Sequence, residues 1–134
     1  LQTLGIRLRH LEQSALTVAN WLKKRPEIAL VLHPALPDCP GHEIWKRDFT
    51  GSASVFSIVV KDDWKPERIV KFVEALKLFK IGYSWGGAFS LVMAYESLGR
   101  QHRNYGRQLV RLNIGLEEPA DLIADLEQAF ARAK

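Results

Sequence analysis

The sequence holds one cysteine and one methionine in 134 residues. A lone Cys39 cannot close an internal disulfide, which excludes a disulfide-stapled secreted scaffold and favours a reducing, cytoplasmic setting. Pro37, Asp38 and Pro40 place that cysteine in a loop, with no His or Lys beside it to activate the thiol, so it reads as a bystander rather than a nucleophile. Long apolar runs are missing as well. The longest, Ile28 to Leu32 and Val55 to Val60, are strand-sized and too short to span a bilayer, so no membrane partner is expected. The amino end shows no basic stretch followed by an apolar core, the mark of a signal peptide. It also lacks a leading methionine and an initial helix cap, and a fragment of a longer protein is the expectation.

The usual catalytic signatures are absent too. His10, His33, His42 and His102 have no metal-ligand spacing with one another or with Cys39, and no metal is expected. Ser84-Trp85-Gly86-Gly87 lacks the Gly-x-Ser-x-Gly form of a nucleophile elbow. Neither a Gly-x-Gly-x-x-Gly run nor a phosphate loop occurs. Asp62-Asp63 before Pro66 reads as a turn rather than a carboxylate dyad.

What is present is an ordinary globular composition, 47% hydrophobic and 25% charged, at a length suited to one core. The net charge of +4 is scattered over Lys23-Lys24-Arg25, Lys46-Arg47 and Arg100, Arg103 and Arg107. No continuous basic face with aromatic platforms results, so nucleic acid is not an expected partner.

Leu4, Leu8, Leu11, Ala15, Val18 and Leu22 recur at helical spacing, with Arg7, Arg9, Glu12 and Gln13 off the stripe, and Pro26 stops the helix near Lys24 or Arg25. Ile28 to Leu32 reads as a buried strand and His33 to Pro37 as an extended loop. His42 to Phe49 forms a short helix with Ile44, Trp45 and Phe49 inward; the Trp45–Asp48 stretch carries one buried aromatic and a solvated ion pair. Ser54 to Lys61 is a central strand. Pro66 opens a helix whose apolar face is Ile69, Phe72, Val73 and Leu76. Phe79 to Ile81 and Phe89 to Tyr95 are strand-like, Arg100 to Gly106 is a loop, and Leu109 to Ile114 alternates. On that last strand Val110, Leu112 and Ile114 face one way, Leu109, Arg111 and Asn113 the other. Pro119 with Glu117, Glu118 and Asp121 starts a final helix that buries Leu122, Ile123, Leu126 and Phe130. The expected class is α+β, a small mixed or antiparallel sheet with helices on one face.

Arg111 is the principal candidate for chemistry. It leaves its strand on the face opposite three aliphatics, and its planar fork of donors matches a carboxylate. Ser84 adds a hydroxyl, Trp85 an apolar wall and a backbone N–H, and Gly86-Gly87 permits close approach of the backbone. Taken alone, a strand arginine more often pairs with an internal Asp or Glu, and a Gly-Gly after an aromatic is more often a plain turn or bulge.

Three motifs in order carry a family resemblance: His33-Pro34-Ala35-Leu36-Pro37 with Gly41 to Gly51, Gly82 to Gly87, and Arg111 to Glu117. With the final helix from Asp121 to Leu126, they resemble the carboxyl-terminal domain of the cystathionine β-lyases, a branch of the pyridoxal-phosphate enzymes of cysteine and methionine metabolism. The γ-lyases and γ-synthases of that family typically carry Leu where Trp85 stands and lack an equivalent of Trp45. The resemblance implies the small-domain fold of the aspartate-aminotransferase-like enzymes, with Arg111 on the α-carboxylate of an amino-acid substrate and Ser84 and Trp85 seating the same group. It also implies cleavage of L-cystathionine to homocysteine, pyruvate and ammonia, in transsulfuration and methionine biosynthesis, by a homotetramer.

No lysine here stands in the Ser-x-Thr-Lys context of the family's Schiff-base lysine. The resemblance assigns that lysine, the acid for the cofactor ring and the phosphate-binding loop to a large domain preceding Leu1. Residues 1–134 then form the small domain alone, holding no catalytic or cofactor-binding residue and inactive in isolation. A free-standing, non-catalytic anion-binding or interaction module is the alternative. Phe89 stands where the family often has Glu, two residues after the Gly-Gly turn.

Overall fold

The computed structural model describes residues 2–96, 98 and 104–134. Most of the predicted Arg100–Gly106 loop, with His102 and Arg103, lies outside the described residues. The elements in chain order are α1 (Leu4–Leu22), β1 (Ile28–Leu32), α2 (His42–Asp48), β2 (Val55–Val60), α3 (Pro66–Ala75), β3 (Lys80–Ile81), β4 (Leu91–Ala94), β5 (Leu109–Asn113) and α4 (Pro119–Arg132), with one 3₁₀ turn at Gly106–Gln108. The strands form one five-stranded sheet in the order β1-β2-β5-β4-β3. It is a mixed sheet: β1/β2, β2/β5 and β4/β5 are antiparallel, while the short β3/β4 pair is parallel.

Register fixes which side chains share a face. Leu112 sits opposite Phe56 and Val92, and Val110 opposite Ile58 and Ala94. Phe56, Ile58, Val92, Val110 and Leu112 are all buried, and together with Ile114 they meet the apolar stripes of α1, α3 and α4 in a single core. At its centre Phe72 of α3 stacks on Phe130 of α4 at 4.5 Å, and Trp64 meets both rings edge-on. Offset and edge-on ring pairs suit the aromatic quadrupole and add to the area they bury. Ile69, Phe72, Val73 and Leu76 are buried as their spacing predicts.

Two expectations need correction. Ile44 and Phe49 are 59% and 62% exposed, so α2 does not bury them; Trp45 alone tucks in halfway, donating its indole N–H to the Gly51 carbonyl. With seven residues, α2 is too short to carry a stable apolar stripe of its own. Its first residue is held by a loop contact, the His42 ring 2.8 Å from the Pro34 carbonyl oxygen, and the segment that follows it by Ser52 donating to Glu12 of α1. The Arg47–Asp48 pair next to Trp45 is solvated, as expected. The second correction concerns α1, whose stripe is buried only from Leu11 onward. Leu4 and Leu8 stay 46% exposed and line a cavity beside β2.

Candidate functional site: an arginine beneath a glycine turn

Arg111 lies mid-strand on β5, between Ser57 of β2 and Met93 of β4, on the face opposite Val110 and Leu112. Alternation puts it there, because its neighbours Val110 and Leu112 are claimed by the core. Its Nη2 donates to the carbonyl oxygen of Tyr83 at 2.6 Å and lies 3.4 Å from those of Gly82 and Ser84. The guanidinium is also 5.6 Å from the Trp85 ring centre and 6.0 Å from that of Tyr95, within range of cation–π attraction. Among the described residues no carboxylate pairs with it, and its Nε and Nη1 have no partner. Among those residues, the internal Asp or Glu that a strand arginine usually finds is not at this one.

The turn above Arg111 is fastened to the next residue on the same face. Asn113 is 1% exposed and makes three hydrogen bonds. Its Oδ1 accepts from Gly86 N and from Ser54 Oγ, both at 2.9 Å, and its Nδ2 donates to the Phe89 carbonyl at 3.0 Å. Gly86 adopts φ +73° to aim its amide downward, a region that L side chains avoid. Behind the turn, Glu117 accepts from Ser90 N and Oγ, and Ser90 Oγ accepts from Gly115 N. A Cβ on Gly115 would lie 2.6 Å from the Phe89 carbonyl carbon and would press on Ala88 O and Glu117 as well. Only glycine admits that approach.

Sequence reading placed Arg111, Ser84 and Trp85 together, and the structure brings all three to one place. Ser84 contributes its carbonyl to Arg111, and its side chain is exposed. Trp85 is 65% exposed and forms one wall of the cavity. Asn113 and Glu117 were missed as site residues. The sequence marks Glu117 as a helix-start acid, yet its carboxylate anchors the turn, and Phe89, 74% exposed, leaves the packing. The one sequence cue was their position in the Arg111–Glu117 motif.

Arg111, Trp85 and Gly86 border a cavity of about 460 Å³, closed on its other side by Leu4, Leu8, Leu11 and Val55. Its walls are apolar and its polar side chains are few, which is the make-up of a small-molecule site.

The match to known proteins extends over this whole arrangement. A family model described as Cys/Met metabolism PLP-dependent enzyme matches residues 1–131. The chain belongs to that family. Among its relatives, the cystathionine beta-lyase MetC of Escherichia coli K12 is 46% identical over 138 residues, covering 98% of this chain and 35% of its own length. The L-alanine/L-glutamate racemase of Wolbachia pipientis wMel is 42% identical, covering 98% of this chain and 34% of its own length. The crystal structure of metB from Corynebacterium glutamicum superposes with a TM-score of 0.87 at 32% identity, covering all of this chain and 36% of that one. The chain therefore spans about a third of the length of the relatives it matches.

The family's cofactor, pyridoxal phosphate, calls for an amine to carry it and an acid beside its ring nitrogen. Among the described residues no lysine, aspartate or glutamate lines the cavity. The residues gathered here do not fit a cofactor site, and what they offer is a grip on an anion.

Proposed function

We propose that residues 1–134 are the substrate-carboxylate-binding small domain of a cystathionine β-lyase, and that Arg111 holds the α-carboxylate of the amino-acid substrate. The observation that carries this reading is the guanidinium itself, oriented by turn carbonyls through Nη2, without an acidic partner among the described residues, and facing an apolar cavity. A charge held in that way favours an incoming carboxylate, which replaces the lost water with charge-assisted hydrogen bonds. Trp85 covers the guanidinium face and Ser84 fixes it through its carbonyl, so the group is pre-positioned before ligand arrives. Fixing the carboxylate also sets which substituent at Cα is presented for reaction. On this reading the cofactor and its lysine come from another part of a longer, homotetrameric polypeptide. The 134-residue chain mixed with pyridoxal phosphate then shows no lyase activity.

The racemase among the relatives shows that this scaffold serves more than one reaction, so the β-lyase assignment rests on the Trp85 and Trp45 pattern. In the full-length protein, Arg111→Ala raises KM for L-cystathionine or lowers kcat/KM by at least about tenfold while the fold is retained. Unchanged kinetics would remove Arg111 from the site. That no amine is among the described residues lining the cavity favours one other reading, a non-catalytic anion-binding module. That reading is the correct one if the full-length protein binds carboxylates but turns over no β-substituted amino acid.

A further inference from the structure

Asp125 of α4 is buried, only 6% exposed, and lies outside the site described above. Its carboxylate nevertheless gathers an unusual set of donors. Lys77 N donates to Oδ1 at 2.9 Å, Leu78 N to Oδ2 at 2.7 Å, and Phe79 N lies 3.4 Å from Oδ2. Gln128 Nε2 donates to Oδ1 at 3.0 Å and to the Ala75 carbonyl at the end of α3. Among the described residues no cation pairs with Asp125. Consecutive amides turned toward one carboxylate act as an anion-binding nest, here filled by a side chain of the same protein. Those amide dipoles take the place of the water that a buried carboxylate loses.

The nest stands at the entrance to the turn that grips Arg111. Phe79 is separated from Gly82 by about 10 Å of extended chain, and the carbonyls of Gly82, Tyr83 and Ser84 face Arg111 Nη2. On its far side the turn is tied down by Asn113 and Glu117. On its near side stands β3, two residues long and exposed, bonded to β4 through Lys80 N to Ser90 O and Gly82 N to Val92 O. So short a ladder does not keep its own place. Asp125 supplies the missing anchor, joining the backbone just before β3 to a helix whose Leu122, Leu126 and Phe130 are fixed in the core. We propose that Asp125 is a positioning residue for Arg111, setting through β3 where the carbonyls that orient its guanidinium lie. A small displacement there misaligns the fork of donors that a carboxylate needs. This inference rests on the reading of Arg111 as a carboxylate receptor and extends that grip to the final helix.

Asp125→Asn tests it in the 134-residue chain, since the amide keeps the shape but turns an NH2 toward N–H groups that need an acceptor. The Arg111 Nε–H resonance, observed by NMR without ligand, reads the orientation of the guanidinium, and calorimetric titration with butyrate reads the grip. The expected results, at a temperature where the variant is folded, are a displaced Arg111 resonance and a loss of butyrate affinity of about fivefold. Val18→Ala, a truncation in the same core, lowers the unfolding midpoint and changes neither readout. An unmoved resonance with wild-type affinity in Asp125→Asn overturns the proposal. So does Val18→Ala reproducing both effects, because Asp125 then acts through general stability alone. The wild type gives its own answer if the asparagine variant does not fold. Coupling is reciprocal, so bound butyrate slows hydrogen exchange of the Leu78 amide by about fivefold where that amide exchanges through local opening; an unaltered rate with butyrate bound overturns the proposal. If the wild type binds no butyrate while Asp125→Asn still displaces the Arg111 resonance, the carboxylate reading fails and the positioning by Asp125 stands.

Discussion

Asn113→Ala separates a designed clamp from an incidental contact. Three bonds disappear together: from Ser54 Oγ, from Gly86 N and to Phe89 O. Ser54 is 3% exposed, so its hydroxyl loses a partner that water cannot easily replace, at a cost of about 1–3 kcal/mol. Gly86 and Phe89 lie on an exposed turn, where water substitutes, and each of those bonds is worth about 0.5–1 kcal/mol. The sum is about 2–5 kcal/mol, a large fraction of the ~5–15 kcal/mol that holds a domain folded. Urea unfolding measures the loss, and hydrogen exchange at the Gly86 amide, protected in the wild type, localises it. Asn113→Asp keeps both accepted bonds but sets a buried carboxylate oxygen against the Phe89 carbonyl, so it recovers part of the stability only at acidic pH, where the protonated carboxyl can donate there. A loss under about 0.5 kcal/mol in the alanine variant, with Gly86 exchange unaltered, would refute the clamp.

Gly115→Ala forces a methyl against the Ala88–Phe89 backbone; thermal unfolding shows a loss of about 1–3 kcal/mol, and a neutral outcome would mean the turn yields freely. Burial holds the His33 imidazole below its ordinary pKa of 6.5, against a smaller opposing pull from Glu12. Its Nδ1 already accepts the Ala35 amide, which favours the neutral ring. The unfolded chain therefore binds the proton first: stability is unaffected above pH 6.5, falls as pH drops below it, and levels off beneath the lowered folded pKa. His33→Asn can keep the acceptor for Ala35 and removes this part of the acid dependence, read from unfolding free energies at pH 7.5 and 5.5. An unchanged pH slope would contradict the assignment.

The elements were legible because most of them are strongly patterned. Pro66 and Pro119 start α3 and α4, the three-and-four spacing of Ile69, Phe72, Val73 and Leu76 names a buried face, and the alternation along β5 singles out Arg111. The misreadings share a cause. Leu4, Leu8, Ile44 and Phe49 carry helical or apolar signals, but whether a stripe meets a core depends on where the sheet ends, which local spacing does not record. The apolar spacing leaves Arg7 off the stripe, although positions 4, 7, 8 and 11 lie on one helix face. Asn113 and Glu117 act across 24 to 27 residues of chain, on Gly86, Phe89 and Ser90. Such pairings become visible only once β4 and β5 are side by side.

The central claim is that Arg111 is a carboxylate receptor and not a structural cation. Its most direct test is the affinity of the 134-residue chain for a simple aliphatic monocarboxylate, against that of the Arg111→Gln variant, by calorimetric titration at fixed ionic strength. A loss of at least about tenfold, roughly the 1.4 kcal/mol of one charge-assisted contact, with an unfolding midpoint near that of the wild type, is the result this account predicts. Equal affinity for the two proteins, or a loss of binding that merely tracks a loss of folding, would contradict it.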